Sequence, residues 1–185
     1  MKIGVFDSGV GGMTVLSELR REFGAEHFVY LGDTAHVPYG AKSSSQVIKL
    51  SQDCARTLIG HQIDVLVVAC NTASSLALPE IQEICGRVPV VGVVEPGVQA
   101  AKVAHEKLRK KDAPILVLAT RATVRSGAMT RSSLAEHCKV LSNGEITSHP
   151  NFLTAGNAHP IDATDHGLIA QENGADHVVE QSHVL

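Results

Sequence analysis

Cys70 is the residue of this chain best placed for acid–base or nucleophilic chemistry. It closes the largely apolar, β-branched run Ile63-Asp64-Val65-Leu66-Val67-Val68-Ala69 and precedes the polar turn Asn71-Thr72-Ala73-Ser74-Ser75, which opens a helix. A thiol there lies at the carboxyl end of a parallel strand, where open α/β sheets bind ligands. It also lies beside a helix N-terminus, whose partial positive charge favours thiolate. Asp7 holds a similar place in Phe6-Asp7-Ser8-Gly9-Val10-Gly11-Gly12, a glycine-rich turn between the first strand and its helix. Glycines let the backbone approach a ligand, and amides at a helix start can hold a carboxylate or phosphate. A carboxylate inside the turn would repel pyrophosphate, so an acid–base or ammonium-binding role suits Asp7. A third polar turn, Gly32-Asp33-Thr34-Ala35-His36-Val37-Pro38-Tyr39-Gly40, follows the second strand.

The elements that must position these turns are legible in the periodicity. Apolar runs predict strands at 2–6, 27–31, 63–69, 89–94 and 114–119, alternating with helical patterns at about 11–23, 43–60, 73–85, 96–110 and 122–136. Repeating βα units of this kind predict an α/β fold, with a parallel sheet flanked by helices on both faces. In such a sheet the three turns share one edge and can converge on one cleft. Pro79 predicts a kink or a late start in the helix after Cys70. The pair Pro96-Gly97 reads as a turn and a domain junction. A nucleotide-dependent enzyme is the weaker alternative. Thr14 stands where a dinucleotide fingerprint needs its third glycine, although Asp33 occupies the place of a ribose-binding acid.

Composition narrows the function classes. The 185 residues are 44% hydrophobic without an apolar run near 18 residues, which predicts a soluble protein without a membrane span. Met1-Lys2-Ile3-Gly4-Val5-Phe6-Asp7 enters a strand directly and lacks the pattern of a signal peptide. Cys54, Cys70, Cys85 and Cys138 show no metal spacing, so no metal site is expected. Reduced thiols in a cytoplasm are. The net charge of −3 gives no reason to expect nucleic acid or an anionic membrane as partner. The charge is unevenly spread. All 16 Lys and Arg lie within residues 1–141, whereas 142–185 carry six acids, no Lys or Arg, and His149, His159, His166, His177 and His183. Turn residues punctuate this tail, leaving only Phe152-Leu153, Leu168-Ile169-Ala170 and Val178-Val179 as apolar pieces. It reads as a divergent, solvated tail and not as a metal-binding tract.

Taken together, Asp7-Ser8-Gly9-Val10-Gly11-Gly12, Gly32-Asp33-Thr34 with Pro38-Tyr39-Gly40, Ala69-Cys70-Asn71-Thr72-Ala73, Val91-Gly92-Val93-Val94-Glu95-Pro96 and Leu118-Ala119-Thr120-Arg121-Ala122-Thr123-Val124-Arg125-Ser126 resemble glutamate racemase over about residues 1–128. The resemblance implies cofactor-independent interconversion of L- and D-glutamate, supplying D-glutamate for peptidoglycan. Inverting Cα removes a proton on one face and delivers one on the other, so two acid–base groups must flank the carbon. By the family pattern Cys70 is one of them, and Asp7 assists proton transfer. Ser8, Asn71 and Thr72 hold the carboxylate and ammonium groups, Pro38, Tyr39 and Gly40 line the cleft, and Thr123 reaches in from a second domain. The resemblance implies a two-domain architecture: residues 1–97 as the first domain and 98–141 as the start of an incomplete second, followed by the 142–185 tail.

One family feature is missing. The family's second cysteine stands in a Gly-Cys-Thr-His motif roughly a hundred residues after the first, and no such motif occurs here. Cys138 is the only later cysteine; Lys139-Val140 follows it, and it reads as an ordinary packed or surface thiol. Cys54 and Cys85, within helical patterns, read as packing residues. Turnover by this chain is therefore a weaker expectation than membership, and a non-catalytic glutamate-binding or regulatory remnant is the second reading. The change of composition near Leu141 fits a truncation, an altered reading frame or a divergent tail. An incomplete sheet would leave edge and apolar surface exposed, which predicts association, with a homodimer as the candidate assembly. Arg121, Arg125 and Arg131 read as a solvated helix face, and His36 as a loop residue.

Overall fold

The computed structural model describes residues 1–107, 115–128, 138–142, 168–171 and 178–180. Its first half is an open α/β sheet built as the periodicity predicts. Strands β1 (Lys2–Asp7), β2 (His27–Gly32), β3 (Val65–Val68) and β4 (Val90–Gly92) pair in the order β2-β1-β3-β4, all parallel. Alternation along the strands divides the core between the two faces. On one face Ile3, Val5 and Ala69 receive Val15, Leu16 and Leu19 of α1 (Met13–Glu22). On the other, Phe6, Leu66 and Val68 pack against Val47, Ala55 and Leu58 of α2 (Ser44–Gly60), whose start is fixed by a Ser43–Gln46 capping box.

The chain after β3 is divided as Pro79 predicts. A short α3 (Asn71–Leu76) stops at Ala77, and α4 (Leu78–Cys85) begins with Pro79 in its first turn, where a missing N–H costs nothing. Pro96-Gly97 behaves otherwise than expected. Both residues lie inside α5 (Val94–Glu106), with Pro96 in the first turn, so the expected division at residue 97 falls within a helix. Val94, Val98 and Ala101 of α5 pack with Val117 and Ala119 of β5 (Ile115–Ala119), so α5 belongs to the second sheet's core.

That second sheet is mixed, and in this it departs from the uniformly parallel expectation. Its order is β6-β5-β7-β8, with β6 (Cys138–Ser142) parallel to β5 and β7 (Leu168–Gln171) antiparallel to β5. β8 (Val178–Glu180) is antiparallel to β7. Two of the tail's apolar pieces are therefore strands. α6 (Arg121–Ser126) follows β5 and is closed by Gly127, whose left-handed φ is 66°. The expected helical extensions over 108–110 and 129–136, Arg131, and the five tail histidines lie outside the described residues. Among the described residues no helix is long and apolar enough to cross a membrane.

Candidate active site

Strand order locates the site. The chain leaves β1 to one side for β2 and crosses to the other for β3, so the carboxyl ends of β1 and β3 flank the topological switch point of the sheet. Asp7 is the last residue of β1, and Cys70 lies two residues beyond β3. Ala69 N–H donates to the Phe6 carbonyl at 2.7 Å and extends the ladder to the site. Asp7 and Cys70 thus stand at the carboxyl ends of neighbouring strands, and both are buried.

Cys70 caps α3. Its Sγ accepts the Ala73 N–H at 3.3 Å and as a thiol donates to Ser8 Oγ at 3.2 Å. An amide aimed at sulfur favours the thiolate form, and the Ser8 hydroxyl can reverse its role and donate once the proton has left. Asp7 is held by its own turn: Oδ2 accepts the Gly9 N–H at 3.1 Å and the Gly12 N–H at 3.0 Å. Gly12 must lack a side chain, since a Cβ would lie 2.6 Å from the Asp7 Cβ and 3.0 Å from that of Ala69. The same hydrogen bonds remove the nucleotide alternative's support. The turn amides that would cradle a phosphate already face a carboxylate. Asp33, the would-be ribose ligand, accepts the Tyr39 hydroxyl at 2.7 Å and faces His36 Nδ1 at 2.7 Å.

Two residues beyond Cys70, Thr72 meets two further hydroxyls. Thr72 Oγ1 lies 3.1 Å from Thr120 Oγ1 and 3.4 Å from Thr123 Oγ1, and the last two are 3.0 Å apart. Thr120 is the N-cap of α6 and accepts the Thr123 N–H at 3.3 Å. Gly40 packs on this cluster so closely that a Cβ would lie 2.5 Å from the Thr120 Cβ. The cluster joins the first sheet's α3 to the second sheet's α6.

The remaining expected site residues are placed less uniformly. Asn71 opens α3 directly after Cys70. Tyr39 is fully buried, its ring against Phe6 and its hydroxyl on Asp33, so its side chain belongs to the core beneath the turn. Pro38 follows a cis peptide bond and is exposed. Cys54 and Cys85 sit in the core under α2 and α4. Burial, with the Asp33 carboxylate adding to it, pushes the Cys54 thiol up to about 11, and burial also raises Cys85. Cys138 pairs in register with Ile115 at the amino end of β5, whereas Thr120 and Thr123 follow the carboxyl end. Four residues of strand, roughly 13 Å, separate the two ends.

Two residues of the site carried no assigned role in the sequence reading. Thr120 had a signal, a hydroxyl residue three before Thr123 at a helix start, which is a capping pattern. Tyr30 had none, because only strand register shows that a tyrosine of β2 reaches the glycine turn of β1. Its hydroxyl donates to the Gly9 carbonyl at 3.3 Å. Among the described residues no group of three His, Cys, Asp or Glu could hold a metal ion.

Comparison with known proteins shows the family. The sequence matches the Asp/Glu/hydantoin racemase family over residues 3–159. It is 51% identical to glutamate racemase of Aquifex pyrophilus over 131 residues, 71% of this chain and 49% of that protein. It is 47% identical to glutamate racemase of Helicobacter pylori strain G27 over 128 residues, 69% of this chain and 49% of that protein. The crystal structure of glutamate racemase from Francisella tularensis in complex with D-glutamate superposes with a TM-score of 0.67 at 32% identity, covering 80% of this chain and 54% of that one. The chain spans about half the length of the curated relatives it matches.

Proposed function

The chain belongs to the Asp/Glu/hydantoin racemase family, and from that premise we propose that its site binds glutamate and uses Cys70 to exchange the Cα proton, one half of a two-base racemisation. The observation that carries the reading is the buried Cys70 thiol at the switch point, capped by an amide and beside the Ser8 hydroxyl and the Asp7 turn. A thiolate Sγ takes the proton from Cα and becomes a thiol, while the electron pair passes into the carboxylate as an enediolate. Return of a proton from the same sulfur regenerates the starting enantiomer. Return from an opposed acid inverts it.

Ser8, Asn71 and Thr72 are suited to the α-carboxylate and ammonium, with Asp7 near enough to Cys70's side of the cleft to take up charge or a proton. Thr123, with Gly40 and the backbone around Pro38 and Tyr39, closes the far wall. The reaction needs no cofactor in this scheme. The setting proposed is the cytoplasm, with D-glutamate passing to peptidoglycan synthesis and a homodimer as the assembly. The division proposed in place of the expected boundaries at 97 and 141 is a first unit that ends where α5 begins and a second built on α5 and the β6-β5-β7-β8 sheet, to which β7 and β8 of the 142–185 segment belong.

Among the described residues no second thiol faces Cys70, which favours exchange without inversion as the activity of this chain. The test is incubation of L- and D-glutamate separately in D2O, reading Cα deuterium and chirality. One enantiomer is expected to exchange without inverting, and Cys70→Ser to lower that rate about a thousandfold, within the range for loss of an acid–base group. No exchange of either enantiomer rejects catalysis. If calorimetry then shows saturable glutamate binding that survives Cys70→Ser, the chain is a binding remnant.

A further inference from the structure

We propose that Tyr30 is a positioning residue of this site: its hydroxyl fixes the Gly9 peptide, and through it the turn that orients Asp7. The inference deepens the racemase reading and rests on it where reaction rate is concerned, but its structural half stands alone.

The argument starts from strand register. Val5 pairs with Tyr30 and Asp7 with Gly32, so Tyr30 and Gly32 share with Asp7 the face of the sheet that α1 covers. The tyrosine ring leans along its strand towards the carboxyl edge. It can do so because residue 32 is glycine. A Cβ there would lie 3.2 Å from the ring's Cε1 and 2.3 Å from the Gly9 carbonyl oxygen. The Gly9 carbonyl is therefore seated over Gly32 and bonded by the Tyr30 hydroxyl at 3.3 Å, while the Gly9 N–H is bonded to Asp7. Both polar groups of Gly9 are fixed, one by Tyr30 and the other by Asp7. A glycine turn has little stiffness of its own, so the phenol supplies a constraint the backbone lacks. Burial, then the Asp7 carboxylate through its charge and a hydrogen bond to the phenol, and last the Cys70 charge, push the Tyr30 phenol well above its ordinary value, which keeps it a neutral donor at any working pH.

Tyr30→Phe removes the hydroxyl and keeps the ring. Amide hydrogen exchange, followed by mass spectrometry on peptides covering residues 8–12, is expected to quicken about three- to tenfold, the loss of one modest hydrogen bond. Peptides from β3 and α2 should be unchanged. The Cα exchange rate of glutamate at saturation should fall by a similar factor, with KM held within about twofold. Unaltered exchange in the 8–12 peptides overturns the proposal whatever the enzyme does. A raised KM at constant rate overturns it too, since Tyr30 would then be contacting substrate. A wild-type chain that exchanges neither enantiomer sinks the racemase reading, and the amide measurement still decides whether Tyr30 holds the turn.

Discussion

At the scale of single residues, the site works by engaging polar atoms before a ligand arrives. Asp7 accepts two turn amides, Cys70 accepts one and faces Ser8, and Asp33 faces Tyr39 and His36. Cys54 shows the opposite treatment of the same side-chain type. It lies within α2, and burial with the Asp33 carboxylate nearby pushes its thiol up to about 11 from its ordinary value of 9.0. Between those values the folded chain keeps a proton the unfolded chain has released, so this contribution to stability is complete below pH 9 and declines as pH rises towards 11. The stability advantage of wild type over Cys54→Ala, from urea unfolding, should therefore shrink between about pH 8 and about pH 10.5. An advantage that holds constant or grows would refute the assigned environment. Sequence separated the positions of these thiols, because strand-end and helix-interior positions differ in pattern. It could not show that Tyr39 turns into the core, since a tyrosine beside glycine in a turn carries no mark of where its ring goes.

At the scale of elements, the first sheet was legible because its strands are short β-branched runs with turn residues at both ends. The break between α3 and α4 was legible from Pro79 alone. Pro96 misled because the same residue that ends a helix is tolerated in a first turn, and only the packing of Val94 and Val98 against β5 reveals the earlier start. The β7 and β8 strands were missed because three apolar residues carry no period, and pairing with β5 lies far away in sequence. The junction of the two sheets depends on Gly40, which packs the Tyr39–Ala41 turn onto Thr120. In Gly40→Ala the new Cβ would meet Thr120 Cβ at 2.5 Å and Cγ2 at 2.7 Å, so turn or helix must move and the three-hydroxyl cluster must open. A loss of about 1–3 kcal/mol is expected from overpacking. Combined with Thr120→Ser, which removes Cγ2, the loss should be smaller than the sum of the two single changes. Strict additivity in urea unfolding would show that the two sites do not touch.

At the scale of the whole molecule, the first sheet ends in strands that pair on one side only among the described residues. β1 and β3 have two neighbours each, but β4 pairs with β3 alone. Its middle residue, Val91, is 47% exposed. An edge strand offers backbone groups for pairing with an apolar side chain among them; Gln82 Oε1 already accepts the Val90 N–H at 3.0 Å, and the further remedy usual in natural sheets is a charge on the edge. β4 carries none, reading Val90-Val91-Gly92. A net charge of −3 adds little repulsion between copies. Self-association through β4 is the expected consequence, and it makes the proposed homodimer testable at one position. Sedimentation velocity over a concentration series should show the wild-type chain shifting from monomer towards dimer. Val91→Lys should stay monomeric over the same range, with its far-ultraviolet circular dichroism and urea midpoint little changed, because the substituted side chain points into water. A wild-type chain that remains monomeric would remove the edge as an assembly site. A Val91→Lys chain that still dimerises would move the contact elsewhere on the surface.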